Sequence, residues 1–383
     1  MSQTTRQELL EHYRRRYSGA GRRGKTKILN EFCGLAGYDR KHAIKLLNRK
    51  SGIRKKPPGP KRIYGDDVVD VLKTIWMQTE QMCSKRLKEA LPLWLPAYEN
   101  RYGKIGEKTK KKVLQISASH MDRLLAPYRV DTSLWRRATP KPGTLLKKKI
   151  PVRYVPWDTD GPGFLEADTV AHCGGSMSGD FIWSLTNTDI FSGWTCLRAT
   201  WNKGGHGVLS QVIDIEEELP FEILGFDVDN GSEFLNHHLH RHFRGRKKKV
   251  YLTRSRPYHK NDNAHVEQKN WTHVRQLLGY DRLDNPDLVD MINDLYRNEW
   301  EQFHNFFCPS AKLVEKRQVK GKYIKKYDDP RTPAQRLIDL KGFNGAAKKR
   351  LKKLQSTLDP FELKEGIEKK LAKIFEANER NKG

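Results

Sequence analysis

The sequence predicts a multidomain chain: an N-terminal α-helical region, then an α/β domain built on a mixed sheet, then a small basic region. Three observations predict it. Apolar residues recur at helical spacing through the first third of the chain, strand-like and helix-like patterns alternate from Gly163 onward, and charged helical text returns past residue 305. At 383 residues the chain is also long for one compact core. Boundaries are expected at 1–56, 64–128, 129–160, 161–305 and 306–383.

The first region is basic, with 16 basic and 4 acidic side chains in residues 1–60. In TKILNEFCGLAGYDRKHAIKLLNRK, Ile28, Leu29, Phe32 and Leu35 form one apolar stripe, Gly37 breaks the chain, and Asp39 can cap a second helix. That helix buries Ala43, Ile44 and Leu47 and carries Arg40, Lys41 and Lys45. Helix, glycine turn and basic helix is the helix-turn-helix pattern, and a plain basic hairpin of helices has the same text. RKKPPGPKR then reads as a linker. From Asp66, Val69, Leu72 and Ile75 mark a further helix, Ser84 is placed to cap one containing Leu87 and Leu91, and Ser117 or Ser119 opens SASHMDRLLAPYR. This makes a second helical region that could present His120 and Arg123 to DNA. Residues 129–160 are a basic, Pro-rich connector.

The α/β region reads as three strands (GFLEADTV, DFIWSLTNTD, GWTCLRATW), a helix from His206 to Leu219, a strand (EILGFDV), a helix after Ser232, a short strand (VYLTRS) and a helix through Val266 and Glu267. Three strands followed by α-β-α-β-α is the order of an RNase H-like domain. Asp189 is placed to cap the turn between the second and third strands. Farther on, LVEKRQVKGKYIKKY reads as a basic hairpin turning at Gly321. A terminal helix starts with Asp359 as cap and Pro360 in the first position. Its face of Phe361, Ile367, Leu371 and Ile374 would dock on the chain or on another subunit.

Charge narrows the function classes. Against 46 Asp and Glu stand 73 Lys and Arg, a net +27, which calls for an extended polyanion as partner. No stretch approaches the roughly 18 apolar residues of a spanning helix, and the start lacks the apolar segment of a secretion signal. Five dispersed cysteines (Cys33, Cys83, Cys173, Cys196, Cys308), with no C-x-x-C pair, imply reduced thiols and a cytoplasmic protein rather than disulfides or structural zinc. The expected partner is double-stranded DNA, with no membrane.

Three carboxylates suit phosphodiester chemistry. Asp168 lies late in the first strand, and period-two alternation makes Glu166 its competitor. Asp229 ends the fourth strand before Asn230-Gly231, a sharp-turn pair, with Asp227 as competitor on the same face. Glu267 lies on the helix after the polar loop RSRPYHKNDN. Acids gathered in this way repel unless a cation lies between them, so the set predicts Mg²⁺ (or Mn²⁺), two ions when DNA is bound.

FLEADTVAHCGG, TNTDIFSGW, GFDVDNGSEF and RSRPYHKNDNAHVEQKN resemble the successive signatures of the retroviral-integrase-type catalytic core of bacterial insertion-sequence transposases. The family's first aspartate falls on Asp168, its second, before Asn-Gly, on Asp229, and its glutamate on Glu267, 267 − 229 = 38 residues on. KPGTLLKKKIPVR, NFFCPSAKL and TPAQRLI extend the likeness from Lys141 to about Leu337. The resemblance implies a DDE-type transposase that cleaves and joins DNA at Asp168, Asp229 and Glu267, working as a homodimer or larger assembly on element ends and target DNA. The zinc module of retroviral integrases is absent, and Lys269 and Arg275 stand in place of the family's basic residues after the glutamate. His259, Lys260 and Asn261 could hold a phosphate or DNA end, Asn263 would cap the helix, and His265 and Gln268 would line the DNA surface.

Two rival readings remain. Another RNase H-fold nuclease would place a carboxylate on the first helix, where Asp214, Glu216, Glu217 and Glu218 occur. A domesticated, inactive DNA-binding protein would keep the fold without the chemistry. The histidines of NHHLHRHF (His237, His238, His240, His242) have no nearby cysteines, and adjacent helix positions diverge, which argues against zinc.

Overall fold

The computed structural model describes residues 3–49, 63–129, 160–229, 234, 237–255, 264–319 and 321–380. The chain divides into two compact units, residues 1–63 and 64–383.

The smaller unit holds three helices, α1 (Gln3–Gly19), α2 (Arg22–Ala36) and α3 (Arg40–Asn48). Their core is Tyr13, Tyr17, Ile28, Leu29, Phe32, Ala43 and Leu47. Gly37 closes α2 at φ 68°, where a side chain would be strained, and Asp39 caps α3 by accepting from the amides of Lys41 and His42. Leu35 departs from the predicted stripe. It is 57% exposed, while its neighbours Cys33 and Ala36 in the last turn of α2 pack against the core.

The larger unit begins with α4 (Asp66–Gln78), α5 (Ser84–Tyr102), α6 (Glu107–Gln115) and α7 (Ala118–Leu125). Ser117 caps α7 through the His120 amide. Ser84 is no cap. It is the first residue of α5, and its buried hydroxyl donates to Asp122 Oδ1 at 2.6 Å. The sheet follows: β1 (Phe164–Ala171), β2 (Ile182–Asp189), β3 (Thr195–Trp201), α8 (Gly205–Glu218), β4 (Gly225–Val228), α9 (His237–Arg244) and β5 (Tyr251–Arg254). Its order is β3-β2-β1-β4-β5, antiparallel across β1–β2 and β2–β3 and parallel across β1–β4 and β4–β5. This is the mixed sheet the sequence predicts. Every residue of β2 is buried, as befits a strand covered on both faces. Gly163 immediately precedes β1 at φ 119°, where a Cβ would lie 2.7 Å from the Glu222 carbonyl, so a side chain there would push away the segment leading into β4. Asp189 serves the predicted turn, accepting from the amides of Gly163 and Ser192 at 2.8 and 2.7 Å; burial pushes its carboxyl pKa up.

After β5 come α10 (Ala264–Lys269), a π-helical stretch (Asn270–Arg275), α11 (Gln276–Leu278), α12 (Leu288–Leu295), a second π turn (Tyr296–Trp300) and α13 (Glu301–Phe307). The hairpin β6 (Leu313–Val319) and β7 (Lys322–Tyr327) follows, turning with Gly321 at φ 77° as predicted. The chain continues through α14 (Pro333–Asp339), α15 (Gly345–Thr357) and α16 (Pro360–Arg380), with Asp359 capping α16 through the Phe361 amide at 2.8 Å.

Regions expected to be separate share one core. Trp94 of α5 is fully buried, donates to the Phe307 carbonyl at 3.1 Å, and meets Phe303, Phe307 and Phe361 edge-on. Residues 64–128 and the terminal helix therefore pack as one body with the sheet, and Phe361, Ile367 and Ile374 dock within the chain. The edge of the sheet is closed by side chains. Asn293 pairs with both the amide and carbonyl of Ala199, Asn305 does the same for Thr195, and Glu301 accepts from the Leu197 amide at 2.7 Å. Among the described residues no helix is long and apolar enough to cross a membrane.

Candidate active site

The parallel pairing of β1 and β4 sets Glu166 beside Asp227 and Ala167 beside Val228, so one step further Asp168 comes beside Asp229. Parallel neighbours lie about 4.8 Å apart, and residues two apart share a face. By this register Glu166, Asp168, Asp227 and Asp229 take neighbouring backbone positions on one face, toward the carboxyl end of the central strands.

Burial separates the four into two pairs. Glu166 and Asp227 are 2% and 0% exposed, whereas Asp168 and Asp229 are half-buried. Asp227 accepts from the Thr253 hydroxyl on β5. Glu166 Oε2 accepts from the amides of His265 and Val266 at 3.1 and 3.2 Å, placing negative charge at the start of α10. Asn263, expected as the cap of that helix, lies outside the described residues. Asp168 Oδ1 accepts from the Thr169 amide at 2.8 Å, and its Oδ2 accepts from Asn270 Nδ2 at 2.7 Å.

The helix is thus fixed to β1 at two points. From Val266 to Asn270 it rises about 6 Å, which matches the roughly 6.6 Å from Glu166 to Asp168 along the strand. Glu267 sits between these anchors, exposed, three residues before Asn270 and on the same side of the helix. Three carboxylates brought together repel one another without a cation between them. Among the described residues no group of three His, Cys, Asp or Glu side chains is placed to hold a metal ion.

Other predicted residues are placed as follows. Lys269 points away from the carboxylates, its ammonium 3.4 Å from His273 Nε2, and burial together with Arg86 lowers its pKa to about 8. Arg275 donates to the carbonyls of Ala171 and Gly279 and lies over the Tyr280 ring. Both side chains are turned to partners within the chain, unlike the DNA-facing cations expected at these positions. Arg40, Lys41 and Lys45 are exposed on α3, with Arg40 bonded to Asn30. His120 is half-buried, edge-on to Tyr64 at 4.6 Å, and exposed Arg123 donates to the Ser119 carbonyl at 3.3 Å. His265 and Gln268 are exposed. His259, Lys260 and Asn261 lie outside the described residues.

Three of the four acids of α8 are engaged elsewhere, and Glu217 is exposed. Asp214 and Glu218 pair with buried Arg198, which also meets Glu301 at 2.6 Å; Glu216 pairs with Arg246 and, at 3.3 Å, with His242. Burial raises the Glu301 pKa to about 7 even beside Arg198. In the histidine run, the His238 ring lies against His206, centroids 3.8 Å apart and planes tilted by 43°.

Sequence reasoning left two contributors without their roles. Glu166 was seen as a rival to Asp168 rather than as the acceptor that anchors α10. Asn270 was not singled out, although its spacing of three from Glu267 is a signal available in the text.

The fold and this rim of acids define an α/β protein with paired carboxylates at the carboxyl end of its central parallel strands. The chain is 37% identical over 343 residues to "Uncharacterized protein y4rM" of Sinorhizobium fredii, spanning 88% of this chain and 96% of that protein, and belongs to its family. No family model matches. Solved structures similar to it include the catalytic core domain of BIV integrase (15% identity, TM-score 0.24, 31% of this chain and 70% of that one). The HTLV-2 integrase catalytic core domain in complex with magnesium, in its dimeric form, is another (17%, 0.27, 42% and 92%). At these TM-scores the likeness adds nothing to the strand order and register described above.

Proposed function

We propose that the chain is a DDE-type transposase: it binds the ends of a mobile DNA element, cleaves to free a 3′-OH, and joins that end to target DNA. What supports this reading is the β1–β4 register, which pairs Ala167 with Val228 and so brings the next residues, Asp168 and Asp229, to neighbouring positions, with the helix bearing Glu267 anchored to β1. Hard carboxylate oxygens at a half-buried rim suit Mg²⁺ or Mn²⁺, and Asp168, Asp229 and Glu267 are the residues that would hold it. Bound there, two such ions would relieve phosphoryl charge and stabilise the attacking and leaving oxygens.

The chain's own residues do the positioning. Asn270 orients Asp168 by donating to its Oδ2, and Glu166 fixes the start of the Glu267 helix. Thr253 holds Asp227 inside the sheet, which leaves Asp229 to serve the rim. The helical regions at 1–56 and 64–128 would hold the element ends, with Lys41 and Lys45 exposed for phosphate contact in the first and Arg123 in the second. Two ends imply a homodimer or larger assembly, and substrate DNA implies a cytoplasmic, nucleoid-associated protein.

The pairing of α8 acids with Arg198 and Arg246 favours this reading over a ribonuclease H or resolvase, which would draw a carboxylate from that helix. The test is strand transfer from a labelled element-end duplex. Asp168→Asn, Asp229→Asn and Glu267→Gln should each lower cleavage and joining about a thousandfold while binding persists, the scale of several kcal/mol of lost transition-state stabilisation. Chelation by EDTA should stop cleavage in the parent. Cleavage without joining would identify a plain nuclease, and binding with no metal-dependent cleavage would identify an inactive DNA-binding protein.

A further inference from the structure

We propose that the β6–β7 ribbon is a DNA-binding arm that grips duplex phosphates with Lys316, Arg317, Lys322, Lys325 and Lys326, an assignment that rests on DNA being the substrate. All residues of Leu313–Val319 and Lys322–Tyr327 are exposed, and these five cations face a single acid, Glu315. The register sets Lys316 opposite Lys325, a like-charge cross-strand pair that disfavours the ribbon alone and that a polyanion would relieve. Lys316 lies over the Tyr323 ring at 4.6 Å, and Val314, Ile324 and Tyr327 are exposed as well. An isolated two-stranded ribbon is marginal in water, so this one has the composition of an element completed by a partner.

Its base, by contrast, is firmly held. The Lys312 amide donates to Asp328 Oδ1 at 2.6 Å and the Asp328 amide to the Lys312 carbonyl at 2.9 Å. Arg336 of α14 clamps Asp328 and the Ser310 carbonyl, and Lys312 Nζ reaches the Phe191 carbonyl in the β2–β3 turn. A seven-residue strand spans about 23 Å, and duplex DNA carries one charge per roughly 1.7 Å, so the arm would face about a dozen phosphates. The major groove also admits a two-stranded ribbon. A second copy of the chain is a poorer partner, since it would bring the same positive ribbon on a body of net charge +27. The base lies by the β2–β3 turn, at the end of β1 where Leu165 pairs with Asp189, away from the Asp168 end. The arm therefore acts on affinity rather than on the chemical step.

The experiment measures binding of the full chain to a labelled duplex of about 30 base pairs over roughly 50–200 mM KCl, where each lost phosphate contact lowers the log–log salt slope by about 0.9. Replacing all five cations by Gln should flatten the slope by about 4–5 and weaken binding at least tenfold at low salt. Cleavage at saturating DNA should stay within twofold. Substituting Arg at the four lysines should preserve the slope. Replacing residues 314–326 by an Asn-Gly turn, which keeps the Lys312–Asp328 clamp, should reproduce the loss without depending on a charge-altered ribbon. An unchanged slope in both the Gln and the deletion variants overturns the arm. So does a changed sedimentation coefficient with unchanged binding, which would assign the ribbon to contact between copies. Strand transfer by the parent, run in parallel, keeps the two ideas separate: a parent that binds but joins nothing sinks the transposase reading, whereas a parent that joins beside a variant of unaltered slope sinks only the arm.

Discussion

Replacing Glu166 by Ala removes the acceptor for two amides at the start of α10, at a site only 2% exposed. Hydrogen bonds to a charged group contribute about 1.5–3 kcal/mol each, and loss of a helix cap costs about 0.5–2 kcal/mol, so about 2 kcal/mol is the expected total after relaxation. The unit it belongs to runs from residue 64 to 383. With an unfolding entropy of about 2.1 cal/mol/K per residue, the loss lowers its melting temperature by about 3 °C. The consequence for chemistry is larger, because a shift of about 1 Å in the placement of Glu267 costs about a hundredfold in rate. Glu166→Gln keeps a neutral acceptor and should cost about half as much stability as Glu166→Ala and less than tenfold in rate. Thermal melting and single-turnover cleavage across a Mg²⁺ titration read both effects, and Glu166→Ala should also raise the Mg²⁺ concentration needed for half-maximal rate. A Glu166→Ala chain that melts lower yet cleaves like its parent at every Mg²⁺ concentration would refute the positioning argument. Glu166→Gln as inactive as Asp168→Asn would instead make Glu166 the metal ligand.

Burial holds the His172 pKa down to about 3, and it holds His273 and His304 well below their usual range. Because their folded pKa values lie beneath the unfolded value, the stability they contribute is present above about pH 6.5 and lost as pH falls; three such imidazoles cost about 4 kcal/mol between pH 8 and 5.5, and the raised Glu301 carboxyl, taking up a proton below about pH 7, offsets part of it. Melting curves over that range should show the loss, and His172→Asn should reduce its pH dependence by about a third. Arg198→Met strands Glu301 in the interior and should cost about 3–5 kcal/mol in denaturant unfolding, with Arg198→Met/Glu301→Gln regaining part of it. Trp94→Ala should cost about 3–5 kcal/mol and move the melting of residues 64–383 as one transition; two separate transitions within that span would contradict the shared core.

The strands were legible because short runs rich in β-branched and aromatic residues are bounded by turn residues, whereas their register is seen only in the folded chain. The same alternation that exposed Asp168 also exposed Glu166, and only burial and the amides of α10 distinguish their parts. Spacing shows which residues share a helix face and is silent on what that face meets. That is why Trp94 and Phe361, far apart in the text, were expected in different regions although they touch. Lys269 and Arg275 illustrate the same limit: a basic residue beside a functional acid reads as a phosphate contact until its helix is seen turned toward His273 and Ala171. Ser84 has the chemistry of a cap but lies one residue too far into its helix to act as one.

The side chains that seal β3 make segment length a constraint in its own right. Glu301 and Asn305 are one α-helical turn apart, but Asn293 and Glu301 are eight residues apart, about 80° beyond two α turns. The wide turn at Tyr296–Trp300 absorbs the surplus residue and returns all three side chains to a common line. Deleting a single residue there would rotate Asn293 off the strand, bare the Ala199 amide and carbonyl, and open a growing edge to any passing strand. Insertions and deletions between 293 and 301 should therefore yield aggregates even when they leave every carboxylate of the rim untouched.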